Sequence, residues 1–376
     1  MESALANIPQ EILCHIFSFL SRKEQCRTVA NVNRTWNLAS SLLRKKVKFK
    51  VNPRYPPPPL FKNIFDKSPL LVNVIMVFYR EFCWTKETLI IFLQTIAERC
   101  PQLKHLTLVH CDGLSKTSLE IVIRGCPELE RLDVIQSWNL EPGVFYQLAK
   151  LSNLTHLDWP ANLENAEDIL LAIAKNCKRI SYLNIFTIKI SDTTLVEVLR
   201  YLADSLENLY INGIYLNKQS HRVLAVCRKL KQLIIHNLTS VVGLEYGLST
   251  LLNLSFLELK GAAGHHTSAP RIGECLKHLP RLEYLDLCDL DEFDDSIFDV
   301  LVVHCSNLTC LKLYGYIKVT RYGVQNFLDQ HTKIQFLNFF SFTNFNWRWV
   351  KRNKPNENPE QEEDEIIDCR HGKGND

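Results

Sequence analysis

An α/β chain is predicted, with three short helices at the N-terminus followed by a curved solenoid that has an inner parallel sheet and outer helices. Three observations carry this. A pattern with leucine-type residues at positions 1, 4 and 6 occurs ten times, its first members being Leu103, Leu129, Leu154, Ile180, Leu206, Leu230, Leu254, Leu282, Leu308 and Ile334. These first members are spaced 24 to 28 residues apart, a period that marks stacked repeats of one supersecondary unit. A separate apolar stripe of helical period occupies the first twenty residues.

Positions 4 and 6 of the pattern lie on one face of an extended chain, so each repeat contributes one short strand. Between strands the apolar spacing becomes helical. Leu195, Val198, Leu199 and Leu202 follow Ser191-Asp192, and Leu89, Phe92, Leu93 and Ile96 precede the first full repeat. One strand and one helix cannot bury their own apolar side, so neighbouring units must stack and share a core. An earlier strand is expected at Val74 to Tyr79. The pattern resembles leucine-rich repeats, and in detail the cysteine-containing subtype, which places Cys three residues before the first anchor. Cys100, Cys126, Cys177, Cys227 and Cys305 stand there, and Ile190-Ser191-Asp192 resembles the subtype's step into its helix, approximated by Phe293-Asp294-Asp295. A second Cys or Asn of that subtype occurs only as Cys111 and Asn162.

The balance of 44 basic against 41 acidic residues gives a formal charge of +3, which argues against a dedicated nucleic-acid binder. No run of 18 apolar residues occurs, and Met1 to Asn7 lacks the basic-then-apolar plan of a secretory signal. The chain is therefore expected to be soluble, without a membrane partner, and cytoplasmic, nuclear or both. Its 13 cysteines are an odd number placed largely at repeat positions, so they read as reduced core thiols. The N-x-[ST] triplets at Asn153, Asn237, Asn253 and Asn307 carry no localisation message without such a signal.

Near the N-terminus, Ile12, Leu13, Ile16, Phe17 and Leu20 form an amphipathic stripe that opens at Asn7-Ile8-Pro9. Ser21 to Glu24 reads as a capping box for a second helix, and a third carries Val29, Val32 and Trp36. So small a unit sits near the lower size limit for folding alone. The run Ile8-Pro9-x-Glu11-Ile12-Leu13-x-x-Ile16-Phe17-Ser18-Phe19-Leu20, followed by Val32-x-x-x-Trp36, resembles an F-box. Ile8 replaces the usual Leu, Asn33 stands where Cys is common, and the stretch from Leu20 to Val32 is slightly long. The resemblance implies docking on a Skp-family adaptor, and through it on a cullin and a RING subunit. The adaptor surface so implied is Ile8, Pro9, Ile12, Ile16, Phe17, Leu20, Val32 and Trp36.

The expected domains are 1–45, the F-box; 46–342, the repeat solenoid with an irregular entry segment at 46–99; and 343–376, an acidic tail expected to be disordered. In the entry segment, Arg44 to Lys50 alternates charge with Val47 and Phe49 as a strand would, and Pro56 to Pro59 reads as an extended spacer. The tail begins near Trp347 and Trp349 and becomes rich in Glu. No Gly-rich phosphate loop, HExxH helix or paired CxxC spacing is present, so no catalytic residue, metal site or cofactor is expected. The neighbours His265-His266, His304/Cys305 and His110/Cys111 lie in different repeats and do not converge on one ion.

Residues flanking anchors 4 and 6 face away from the core. On this inner sheet surface the sequence places Tyr182, Phe186, Tyr210, Phe256, Tyr284 and Tyr314 as substrate-binding residues, with Phe336 and Phe340 beside them. Asp133, Asp158, Glu258, Asp286, Lys260 and Lys312 would set orientation. Cross-strand packing of aromatics is the alternative use of the same positions. The resemblance implies a substrate-recognition subunit of a Skp–cullin–F-box ubiquitin ligase with an unidentified protein substrate. The alternatives are a non-degradative interaction scaffold and a GTPase activator of leucine-rich-repeat type.

Overall fold

The computed structural model describes residues 8–21, 24–25, 32, 34–51, 59–78, 85–135, 142–158, 165–262, 269–290, 293–315, 318–341, 346–350 and 366–368. The chain divides into two compact units, Met1–Leu154 with Asn356–Asp376, and Thr155–Pro355. That boundary falls inside the repeat array, where the sequence carries no composition change.

In the first unit the helices Gln10–Phe17 and Arg34–Leu42 precede β1 (Lys46–Val51), β2 (Asn73–Phe78), β3 (His105–Val109) and β4 (Arg131–Ile135). The helices Pro59–Asp66, Lys86–Arg99 and Lys116–Gly125 separate successive strands. All four strands are parallel and in register: Val47 pairs with Val74, Val74 with Leu106 and Leu106 with Leu132. Side chains alternate between core and solvent, so β2 buries Val74, Met76 and Phe78 while Asn73, Ile75 and Val77 stay half-exposed. The segment 46–99, expected to be irregular, thus holds two further strand-helix units. Leu71, Val74 and Met76, all buried, are an eleventh copy of the pattern with Val and Met in place of Leu.

In the second unit the strands are β5 (His156–Asp158), β6 (Tyr182–Asn184), β7 (Asn208–Asn212), β8 (Gln232–Leu238), β9 (Phe256–Gly261), β10 (Tyr284–Cys288), β11 (Cys310–Gly315) and β12 (Phe336–Ser341). They run parallel in chain order, each paired with the next. β13 (Asn346–Val350) turns back and pairs antiparallel with β12. Ordered pairing therefore continues past the expected boundary at 342. Within the tail expected to be disordered, β14 (Ile366–Asp368) pairs parallel with β1 of the first unit. Tail residues 343–345, 351–365 and 369–376 lie outside the described residues.

The expected helices form for the expected reasons. Ser191 caps Asp192–Leu202 by accepting from the Thr194 N–H, and Leu195, Val198, Leu199 and Leu202 are buried. Thr85 caps Lys86–Arg99 in the same way, with Leu89, Phe92, Leu93 and Ile96 inside. At the C-terminal ends of four helices stand Cys100, Cys126, Cys177 and Cys305, each donating its N–H back into the last turn. Each thiol is buried where the chain swings from helix to strand. The Sγ–H of Cys126 donates to the Cys100 carbonyl at 3.5 Å, and that of Cys305 to Leu276 at 3.5 Å. All ten described cysteines are free. Gly125 lies so close to Ala97 of the preceding helix that a Cβ there has no room.

Most successive parallel strands are also seated by a backbone clasp. The carbonyl just before one strand accepts two consecutive N–H groups at the start of the next. Glu207 O takes Lys231 N at 2.7 Å and Gln232 N at 3.0 Å, and Lys231 O takes Ser255 N and Phe256 N. The same clasp recurs from Ser255 to Glu283/Tyr284 and from Glu283 to Thr309/Cys310. In the first unit it runs from Lys45 to Val72/Asn73 and from Val72 to Lys104/His105.

Of the anchors of the ten copies, all that are described are buried except Val134, which is half-exposed. Beside it Asp133 is buried, its Oδ2 accepting from the Arg131 Nε at 2.7 Å, so β4 departs from strict alternation. Trp159 and Asn162 lie outside the described residues. Among the described residues no helix is long and apolar enough to cross a membrane, and no group of three or more His, Cys, Asp and Glu is placed to hold a metal ion.

Candidate functional site

Two surfaces stand out, one on each unit. In the first unit Pro9 opens the helix Gln10–Phe17 from just outside it, its carbonyl accepting from the N–H of Ile12 and of Leu13 at 3.1 Å. Proline suits this position because its missing N–H has no partner to lose. Leu13 and Phe17 are buried against Ala39 of the helix Arg34–Leu42, and Ile8, Cys14, Leu20, Trp36 and Leu43 pack around them. The Trp36 and Phe17 rings lie 5.2 Å apart. Gln25 is buried and closes the first helix, its Nε2 donating to the carbonyls of Phe17 at 2.8 Å and Leu20 at 3.0 Å. The capping box is present: Ser21 N–H donates to Glu24 Oε2 at 2.8 Å, which holds the Glu24 carboxyl below its ordinary range.

This small core leaves large apolar side chains in solvent. Ile12 is 50% exposed and Ile16 is 47% exposed, one helical turn apart on one face. Val32 is 49% exposed and Phe19 is 77% exposed, its ring edge-on to His15. Full burial of each such side chain would stabilise by about 1.5–3 kcal/mol. The face is chemically unfinished.

In the second unit the solvent side of the sheet is ordered by register. One row runs His156, Tyr182, Asn208, Gln232, Phe256, Tyr284, Cys310 and Phe336 across the strands. The Phe256 and Tyr284 rings stack at 4.0 Å and 5°, and Tyr182 stacks on His156 at 5.5 Å while touching Tyr210 at the same separation. Phe186 meets His236 edge-on, and Tyr314 accepts a hydrogen bond from Asn338 Nδ2 at 2.6 Å. The next row brings Glu258, Asp286 and Lys312 side by side. Lys312 Nζ donates to the Tyr284 hydroxyl at 2.6 Å and lies 3.4 Å from Asp286, while Tyr284 donates to Asp286 at 3.2 Å. Burial pushes the Asp286 carboxyl above its usual range against the pull of Lys312, and pushes the Tyr284 hydroxyl up to about 12. His236 Nε2 meets Glu258 at 2.6 Å.

Residues 5–49 match the F-box-like family. No curated protein matches the sequence. Among solved structures, the chain resembles one in the crystal structure of the Rad7 and Elc1 complex from yeast. The two share 18% identity with a TM-score of 0.57 over 90% of this chain and 85% of that chain, a likeness of fold. A chain of the TLR13–ssRNA13 complex also matches, at 14% identity and TM-score 0.42 over 72% of this chain and 40% of that chain.

The F-box therefore sits where its motif placed it, but its residues divide into two groups. Pro9, Ile12, Ile16 and Val32 are exposed. Phe17 is buried inside the helical pair, and Ile8, Leu20 and Trp36 lie against that core, so these four hold the F-box together. Phe19 and Gln25 were not singled out in the sequence. Phe19 breaks the helical stripe by lying just past the helix end, and Gln25 reads as an ordinary surface residue until its two carbonyl partners are seen. On the sheet, the structure brings Phe256 and Tyr284 together, and Tyr182 with Tyr210. Phe186 meets His236 and Tyr314 meets Asn338, and the Tyr314 hydroxyl also feels Asp286 and Lys312, the groups that hold Tyr284. Lys260 is exposed, opposite Cys288 in the register.

Proposed function

We propose that this chain is a substrate-recognition subunit of a Skp–cullin–F-box ubiquitin ligase. The exposed Ile12, Ile16 and Val32 on an F-box-like segment carry the reading: an apolar helical face of this size calls for a helix-binding partner, and the F-box implies a Skp-family adaptor with a cullin and RING subunit beyond it. A fold likeness to a chain from the Rad7 and Elc1 complex, itself a complex of two named proteins, supports a two-protein assembly. The repeat sheet of the second unit, with Tyr182, Phe186, Tyr210, Phe256, Tyr284 and Tyr314, would grip a protein target. The chain makes no bond itself. It acts by proximity, raising the local concentration of a target lysine near a conjugating enzyme.

The test is co-purification with a Skp-family adaptor. The unaltered chain is expected to retain it, and Ile12→Asp with Ile16→Asp to lose it while circular dichroism stays unchanged. Trp36 is a poorer target for substitution because it packs on Phe17. Adaptor retained by the double variant, or never captured by the unaltered chain, would overturn the reading. If captured targets carry no more ubiquitin with the F-box than without it, the chain is a scaffold instead.

A further inference from the structure

The basic strand at the start of the repeats and the acidic C-terminal segment have no role in the function above, yet three residues that follow the acidic run, Ile366–Asp368, pair with that strand. Residues 44–50 hold Arg44, Lys45, Lys46, Lys48 and Lys50 and no acidic residue. Between Glu357 and Asp368 lie seven carboxylates and no basic residue. β14 adds to the edge of β1 in parallel, with Lys48 opposite Ile366, Phe49 opposite Ile367 and Lys50 opposite Asp368. On its other side β1 pairs with β2 along its whole length. Its Val47 and Phe49 are buried, which commits Lys46 and Lys48 to the opposite face.

An edge strand offers a row of unpaired N–H and C=O groups, a template for any extended chain, and lysines on it select against unwanted partners by charge. Those lysines favour an acidic strand over others. We infer that the outer edge of β1 is a strand-addition site for an acidic extended peptide, and that its occupant is this chain's own segment Ile366–Asp368. Three paired residues are fewer than a free-standing strand pairing requires, so the contact depends on tethering and on charge, and salt weakens it. The tail is a displaceable plug on an edge that would otherwise be open. Nothing in this depends on adaptor docking.

Hydrogen exchange on the full chain tests it. With Ile366→Pro and Ile367→Pro, the amides of β1 that point away from β2 are expected to exchange at least about tenfold faster, with β3 unchanged, because proline removes the N–H that pairing needs. Unchanged exchange in β1 overturns the proposal. Lys46→Glu with Lys48→Glu should release the tail in the same way. Adding Glu362→Lys, Glu363→Lys, Asp364→Lys and Glu365→Lys should restore protection, and failure to restore it overturns the charge argument even if the proline variant proves unstable. A labelled peptide of residues 357–370 should bind the proline variant at least about tenfold more tightly than the unaltered chain. Equal binding to both would show that the peptide does not compete for the tail's position and would overturn the proposal.

Discussion

The two described F-box helices and the repeat sheet of the second unit solve burial in opposite ways. In the sheet, every described anchor of the pattern goes fully inside, and the side chains left outside are tied to one another by stacking and hydrogen bonds. In the helical pair, a core of Leu13, Phe17 and Ala39 leaves Ile12, Ile16, Phe19 and Val32 in water. A stack of repeats gains core with each added unit, whereas a pair of short helices cannot enclose its own apolar surface. Exposed apolar area on the first is therefore the surface that the proposed adaptor would cover. Ordered aromatics on the second report a surface that is already stable without one.

Perturbations of each region sharpen this contrast. The largest effect is expected from Ile12→Asp with Ile16→Asp: two interface anchors at about 2 kcal/mol each amount to about a thousandfold loss of adaptor affinity, read by calorimetry, with thermal unfolding unmoved. Leu285→Ala in the sheet should do the reverse, costing about 2–5 kcal/mol in denaturant unfolding while leaving adaptor capture intact. A Leu285→Ala chain as stable as the original would remove the distinction.

Lys312→Met leaves Asp286 without its ammonium partner and should cost about 1–3 kcal/mol at neutral pH. Because the Asp286 carboxyl in the folded chain lies above its unfolded value of 3.8, the folded state holds that proton more tightly. The cost should therefore be small below the raised folded value, where Asp286 is neutral with or without Lys312, and appear as pH rises through it; the unfolded value is the same for both chains and cancels. A penalty independent of pH would show that Lys312 acts through packing alone.

The smallest expected effect concerns the buried thiols. Cys100, Cys126, Cys177, Cys227 and Cys305 are each pushed by burial from 9.0 to about 12. They should resist alkylation at pH 8 in the folded chain and react once it is unfolded. The raised folded value also sets a sign: their contribution is intact below 9.0 and is lost as pH rises from there toward about 12. Rapid alkylation under native conditions would contradict that placement.

The repeats were legible because a strand's anchors recur in space and in sequence together, as Leu257, Leu285 and Leu311 do. Strands β1 and β2 were harder to read as repeats because Val47, Phe49, Val74 and Met76 fill the same places with other apolar residues, and one Leu fewer hides the period. In the F-box the stripe identified the helix but not which residues face inward: Phe17 and Ile16 are neighbours in sequence with opposite fates. The packing of the helix Arg34–Leu42, with Ala39 and Trp36 against Phe17, decides that. The polar triad of Tyr284, Asp286 and Lys312 was visible as three separate surface residues. The aligned anchors place Asp286 opposite Lys312, but the side-chain conformations that bring Lys312 Nζ to the Tyr284 hydroxyl and to Asp286 are not given by the period.

The paired N–H clasp that joins most successive strands uses no side chain, and the residues that supply its carbonyl are as different as Glu207, Lys231 and Ser255. Alignment between neighbours is thus independent of what decorates the exposed row. Such a scaffold tolerates rewriting of its outward-facing residues one at a time without slipping a notch. A proline at Lys231 or Gln232, by contrast, would remove one of the two donors and loosen the seam whatever its surroundings.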